Sequence, residues 1–208
     1  GNDSAVAQAV FAMPYPLTIS ILPNHTHSTE IAEQAKQRGD QVMLHLPMQS
    51  LAKEHPEAQE LHRGMSRADV SRLVSQFLNE VPGVIGVNNH QGSASTADKK
   101  LMAELMPVLK DHKLFYVDSR TSAATVAYDT AQRFGVRAAF RNVPFLDDVE
   151  NVSAIRKQIE FAIAGAARKK DAIAIGHAHP STLEALKETL PEAKSHGVKL
   201  VFASELVR

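Results

Sequence analysis

The chain has 208 residues, 44% of them apolar, which is ample for a sizeable core and excludes a disordered chain. Lysine plus arginine and aspartate plus glutamate stand at 23 each, a balance that offers no positive field to a nucleic-acid backbone or an acidic membrane surface. No apolar run approaches the roughly 20 residues of a membrane span, no secretory leader pattern opens the sequence, and the lack of cysteine removes disulfides, thiolate zinc sites and cysteine nucleophiles together.

Helical periodicity alternates with short β-branched runs along the whole chain, the pattern of a parallel sheet with helices in its crossovers. A first helix over 4–12, capped by Asp3 or Ser4, stops at Pro14 and Pro16. Strand 17–22 follows, then helix 28–38 with Ser28 as its cap and Gly39 closing it. Strand 41–46 ends at Pro47, and a charged insertion, 47–65, reads as a loop over one face. Ser66 opens helix 67–80, before strand 84–88. Helix 97–111, strand 114–118, helix 122–134 closed by Gly135, and strand 136–141 come next. Helix 150–168, strand 172–176, helix 181–195 closed by Gly197 and strand 198–203 complete seven strands. Because a parallel unit begins with a strand, the opening helix implies one more strand ahead of it. Such a sheet can close as a barrel or stay open as a doubly wound sheet, and periodicity alone does not separate the two.

The ten histidines are the unusual feature, and six of them sit at the carboxyl ends of strands, where parallel sheets gather their ligands. His25 and His27 follow the first strand, His45 lies near the end of the second, His90 follows the third within Asn88-Asn89-His90, and His177 and His179 follow the sixth. Asp118 ends a further strand, while Asp147 and Asp148 lie in a loop after another. Imidazoles and carboxylates converging in this way suit a divalent cation, which needs three or four N or O ligands and an open position for water. Weighed against this, His112 and His196 end helices and serve their dipoles, and His55 and His62 belong to the solvated insertion. A neutral, hydrogen-bonded core histidine is the ordinary explanation of His45, and a loop role that of His90. Arg120 and Arg141 are placed to orient an anionic group or to pair with Asp118 or Asp147. The sequence has no GxxxxGK[ST], GxGxxG or GxSxG motif, which argues against nucleotide binding and serine hydrolase chemistry.

Five segments in order, ILPNHTHSTEIAEQAKQRGDQVMLHLPMQ, VIGVNNHQGSAST, LFYVDSRTS, FRNVPFLDD and AIAIGHAHPSTLEAL, together resemble the divergent polysaccharide deacetylases, a branch similar to the chitooligosaccharide deacetylase homology family. The resemblance covers essentially the whole chain. It implies one domain over 1–208, a distorted (β/α) barrel of seven to eight parallel strands with the first strand upstream of Gly1. It also implies a divalent metal, zinc by preference, that activates water against an N-acyl group of an acetylated oligo- or polysaccharide, and a periplasmic or extracytoplasmic location. His45 is similar to the first histidine of the family's H-x-x-x-H metal motif. The second falls at Gln49, a poor ligand, so His90 is expected to supply the second imidazole. The family's Asp-Asp pair is expected just ahead of Gly1-Asn2-Asp3. His177 resembles the histidine that protonates the departing amine, and Asp118 the carboxylate that orients it. His27, Asn89, Arg120 and Arg141 are expected to touch substrate.

Two alternatives stand beside this reading. His25-x-His27 also resembles the H-x-H opening of amidohydrolase-type metal barrels, and Gln49 at a ligand position fits a non-catalytic glycan-binding or cell-envelope protein that keeps a metal site. The sequence sets no oligomeric state.

Overall fold

A computed structural model describes residues 4–52 and 55–208 of the chain. In chain order the elements are α1 (Ser4–Phe11), β1 (Thr18–Ile21), α2 (Ser28–Arg38), β2 (Gln41–Met48), α3 (Arg67–Glu80), β3 (Val84–Gln91), α4 (Lys99–Asp111), β4 (Phe115–Asp118), α5 (Ala127–Phe134), β5 (Ala138–Phe140), α6 (Val152–Lys169) and α7 (Pro180–Thr189). Two 3-10 turns, Leu190–His196 and Ala203–Glu205, follow. The chain divides into two compact units, one of Thr18–Phe140 with Val207–Arg208, the other of the residues through Leu17 with Arg141–Leu206.

In the unit spanning Thr18–Phe140, five strands form one parallel sheet in the order β1-β2-β3-β4-β5. Each strand is added on the same side as the one before it. That is the winding of a (β/α) barrel, whereas a doubly wound sheet reverses direction at a switch point. The near-continuous apolar runs of β2 and β4 are buried, as expected of strands covered on both faces. Helices α3 and α4 bury Val70, Leu73, Val74 and Phe77, and Leu101, Met102, Leu105 and Met106, at helical spacing. Gly86 in β3 is required by packing: a Cβ there would lie 2.3 Å from the Phe115 ring of β4. The 47–65 insertion is tied down at Leu61, which is fully buried and bonded to the end of β2, its N–H donating to the Pro47 carbonyl and its carbonyl accepting from Gln49 N–H.

In the other unit, α6 and α7 pack Leu146, Ile155, Ile159, Ile163, Ala185, Leu190 and Ala193 into an apolar cluster, with Tyr15, Val198 and Leu200 against it.

Helix ends follow the capping chemistry in several places. Ser66 accepts from Asp69 N–H at the start of α3, and Gly39, Gly135 and Gly197 close their helices in the left-handed region. Ser28 departs from expectation. It is the first residue of α2 rather than its cap, which is His27, and its hydroxyl donates to the Leu22 carbonyl. Asp3, one of the two caps expected for α1, lies outside the described residues. Helix α5 begins at Ala127 rather than near residue 122, because Ser122 and Thr125 turn the chain first, Thr125 N–H donating to Ser122 O and Ala127 N–H to the Thr125 hydroxyl.

Among the described residues the sheet has five strands, not seven. Segment 172–176 forms no strand, although the Ile173 and Ile175 carbonyls accept from Asn142 and Leu146 N–H at 3.3 and 2.9 Å. Pro144, midway between those donors, has no N–H to continue a ladder. Segment 198–203 forms none either: Val198 and Leu200 bury their side chains on the α6–α7 cluster, so the apolar alternation is satisfied without strand pairing.

Candidate functional site

Strands β2 and β3 run parallel with His45 opposite Asn88 and Pro47 opposite His90. Side chains two residues apart on a strand share a face, so Asn88 and His90 emerge together, with His45 beside Asn88. The hydrogen bonds then settle the ring chemistry. Ser119 Oγ donates its one proton to the Asn89 carbonyl at 2.9 Å, and so accepts from Asn88 Nδ2 at 3.1 Å. The Asn88 oxygen is thereby turned to His45 Nδ1, 3.0 Å away. A neutral His45 must carry its proton on Nδ1, which leaves a lone pair on Nε2.

That lone pair accepts from His90 Nδ1–H at 3.1 Å, with ring centroids 4.8 Å apart. Two imidazole nitrogens held by one tetrahedral ion at about 2.0–2.1 Å are roughly 3.3 Å apart. The pair therefore fits a shared divalent cation. The other nitrogen of His90, Nε2, faces Glu57 Oε1 at 3.8 Å, and Glu57 Oε2 lies 3.2 Å from His25 Nε2.

The remaining expected residues of this unit have structural partners. Asn89 is buried: its oxygen accepts from Tyr116 Oη and Ser119 N–H, and its Nδ2 donates to the Gln91 carbonyl and the Thr121 hydroxyl. The amide braces the strand-end loops rather than facing outward. Asp118 is fully buried and accepts from Arg120 N–H, the Thr125 hydroxyl and Tyr128 N–H at 2.8, 2.8 and 3.3 Å. Those bonds hold Arg120 at φ 48, in the left-handed region, with its guanidinium 3.6 Å above the Phe140 ring. His27 Nδ1 lies 3.0 Å from Glu30 on its own helix. His25 and His27 are thus held by different carboxylates. The Gln49 oxygen accepts from Arg63 N–H, so this side chain serves the insertion.

In the other unit, His177 Nδ1 lies 3.0 Å from Asp147 Oδ1, while Asp147 Oδ2 accepts from His177 N–H and the Thr182 hydroxyl. The carboxylate that holds His177 is therefore Asp147, in the loop before α6, and not the strand-end Asp118. The hydrogen bond to Asp147 raises the His177 pKa above its ordinary value, outweighing burial, which lowers it. Burial pushes Asp147 upward, but its hydrogen bonds from the His177 ring and backbone prevail and hold it below the usual carboxylate range. Asp147, His177 and His179 each offer a ligand atom within 4.8 Å of the others, a grouping that can hold a metal ion. Arg141 has its guanidinium 3.9 Å above the Phe145 ring and donates to the Val143 carbonyl.

Sequence reading missed Glu57, Asn88 and the Asp147–His177 pairing. Asn88 had a usable signal in its parity with His90 on one strand. Glu57, inside a charged insertion, had none.

A family model of divergent polysaccharide deacetylases matches residues 1–207. The chain belongs to that family. Among curated relatives, an uncharacterized protein of Haemophilus influenzae is 40% identical over 187 residues, covering 88% of this chain and 66% of that protein. The uncharacterized protein YibQ of Escherichia coli K12 is 37% identical over 198 residues, covering 95% of this chain and 61% of that protein. The chain thus spans less than two thirds of the length of these family relatives. Among solved structures, an uncharacterized protein from Agrobacterium tumefaciens C58 matches with a TM-score of 0.87 at 19% identity, over 99% of this chain and 84% of that one. A mutant of a CE4 family pseudoenzyme with restored enzymatic activity matches with a TM-score of 0.59 at 13% identity, over 99% of this chain and 63% of that one. At these identities the likeness shows a shared deacetylase-like α/β fold. No described helix is long and apolar enough to cross a membrane.

Proposed function

We propose that the chain is a metal-dependent hydrolase that removes an N-acetyl group from an oligo- or polysaccharide in the periplasm or outside the cell. The observation that carries this reading is the 3.1 Å approach of His45 Nε2 to His90 Nδ1, with the second nitrogen of each ring turned toward an oxygen acceptor. An N-donor pair of this kind suits zinc. When bound, the ion would lower the pKa of a water molecule and polarise the acyl carbonyl.

The chain's own residues supply the rest. Asn88 keeps the His45 proton on Nδ1, so that Nε2 keeps the lone pair a metal would take. The family resemblance gives His177 the role of proton carrier, and within its own unit Asp147 orients its ring and raises its pKa, as a general acid working near neutral pH requires. The Asp147–His177–His179 group, which can hold a metal ion by its spacing, is read as the proton carrier because the Asp147–His177 hydrogen bond raises the pKa of the ring.

Metal content tests the assignment. The full-length protein supplied with zinc should bind close to one equivalent, lose it in His45→Ala and His90→Ala, keep it in His177→Ala, and release acetate from acetylated oligosaccharides. Retention of metal in both the His45 and His90 variants, with loss in His177→Ala, moves the ion to the other unit and refutes the reading. A second reading, in which metal and glycan bind without turnover, is favoured by Gln49, whose side chain serves the insertion where the family has a ligand histidine. Binding of acetylated oligosaccharide without acetate release would select it.

A further inference from the structure

The insertion is docked at several points along its described part. The His55 carbonyl accepts from Gln91 Nε2 at 3.4 Å, Gln59 Oε1 accepts from Gln76 Nε2 at 2.9 Å, and Leu61 is bonded to both Pro47 and Gln49. Between these anchors Glu57 reaches two histidines from two different strand ends, His25 after β1 and His90 at the end of β3. Its side chain is only 25% exposed, and the His90 side chain 23%. A carboxylate placed there by chance would more commonly turn outward to water.

We propose that Glu57 is the positioning carboxylate of the His45–His90 metal pair. Its charge, 3.8 Å from His90 Nε2, favours the tautomer protonated there, so that on metal binding Nδ1 exchanges its hydrogen bond to His45 for the ion. This rests on the reading of His45 and His90 as ligands. With an ion bound the two rings would be held in complementary ways: His45 gives its Nδ1 proton to Asn88 and offers Nε2, whereas His90, protonated on the Nε2 that faces Glu57, offers Nδ1. Glu57 stands across the His90 ring from His45, so it acts through the ring instead of ligating the same ion. His25, 3.2 Å from the other carboxylate oxygen, keeps Glu57 in place. An acceptor on the outer nitrogen fixes both tautomer and ring orientation and raises the basicity of the inner one, and loss of such a partner weakens metal binding by about 10–100-fold.

The test is the affinity of the full chain for Co(II) and Zn(II), measured by competition with a chelator, together with the visible spectrum of the Co(II) form. Glu57→Gln preserves shape and removes the charge. We expect it to bind metal about 10–100-fold more weakly and to alter the Co(II) bands, while the metal-free protein unfolds at the wild-type temperature. Glu57→Asp should recover part of the loss. If Glu57→Gln and Glu57→Ala bind as tightly as wild type while His45→Ala does not bind, the role of Glu57 is overturned and the metal pair stands. If His45→Ala and His90→Ala also bind as wild type, the ligand reading fails and the Glu57 role falls with it.

Discussion

His177 owes its proton affinity chiefly to one neighbour. The Asp147 hydrogen bond raises its pKa, and the same contact lowers that of Asp147 against the opposing effect of burial. Folding therefore tightens the histidine's hold on its proton and loosens the aspartate's. The histidine's contribution to stability is complete below about pH 6.5 and fades as pH rises through its raised pKa; the aspartate's is complete above about pH 4 and fades as pH falls through its lowered pKa. The His177 side chain is 56% exposed, so solvent screening keeps the effect small. Asp147→Asn should lower the His177 pKa in an NMR titration and cost more stability at pH 5.5 than at pH 8.5; equal costs at both pH values would show that the pair is not coupled. At this scale the sequence marked both residues as strand-end groups, but it paired His177 with Asp118. Only the fold shows that Asp118 is enclosed by Arg120 N–H, Thr125 and Tyr128 N–H.

The elements that position His45 and His90 depend on close packing of neighbouring strands. Gly86 lets β3 lie against the Phe115 ring, and a methyl group there has no room. Gly86→Ala should destabilise the protein by about 1–3 kcal/mol in urea unfolding, the usual cost of overpacking. Leu61, with 0% exposure, is the apolar anchor of the insertion. Leu61→Ala should cost about 2–5 kcal/mol and open the 49–61 segment to proteolysis. Element boundaries were legible where a cap made them so, as at Ser66, Gly39, Gly135 and Gly197. They were not legible at 172–176, where an apolar run with strand character has a proline-interrupted neighbour, or at 198–203, where helices bury the apolar positions. Leu61 was hidden for a similar reason, since one leucine in a charged stretch has no periodicity to reveal that it belongs to the core.

For the molecule as a whole, a metal held as proposed by side chains from β2 and β3 would couple binding to folding. A ligand at about 100 times its dissociation constant stabilises the native state by about 2.7 kcal/mol. Chelation should therefore lower the unfolding midpoint of the wild type and leave that of His45→Ala unchanged; an equal shift in both would place the stabilising ion elsewhere.

What the sequence determined by itself was local and periodic: the strand and helix alternation up to residue 140, most helix ends, the placing of His25, His27, His45 and His90 at strand ends, and motifs sufficient to indicate the deacetylase family. These are legible because hydrophobic period and capping act within a few residues of chain. Which nitrogen faces which oxygen was decided by tertiary structure alone. The β2–β3 register sets His45 beside Asn88, and the docked insertion carries Glu57 to His25 and His90. Such contacts join residues more than 30 positions apart, and no local preference encodes them. The balance between strand pairing and helix packing at 172–176 and 198–203 is non-local in the same sense, because it depends on which partner the folded chain presents to those segments.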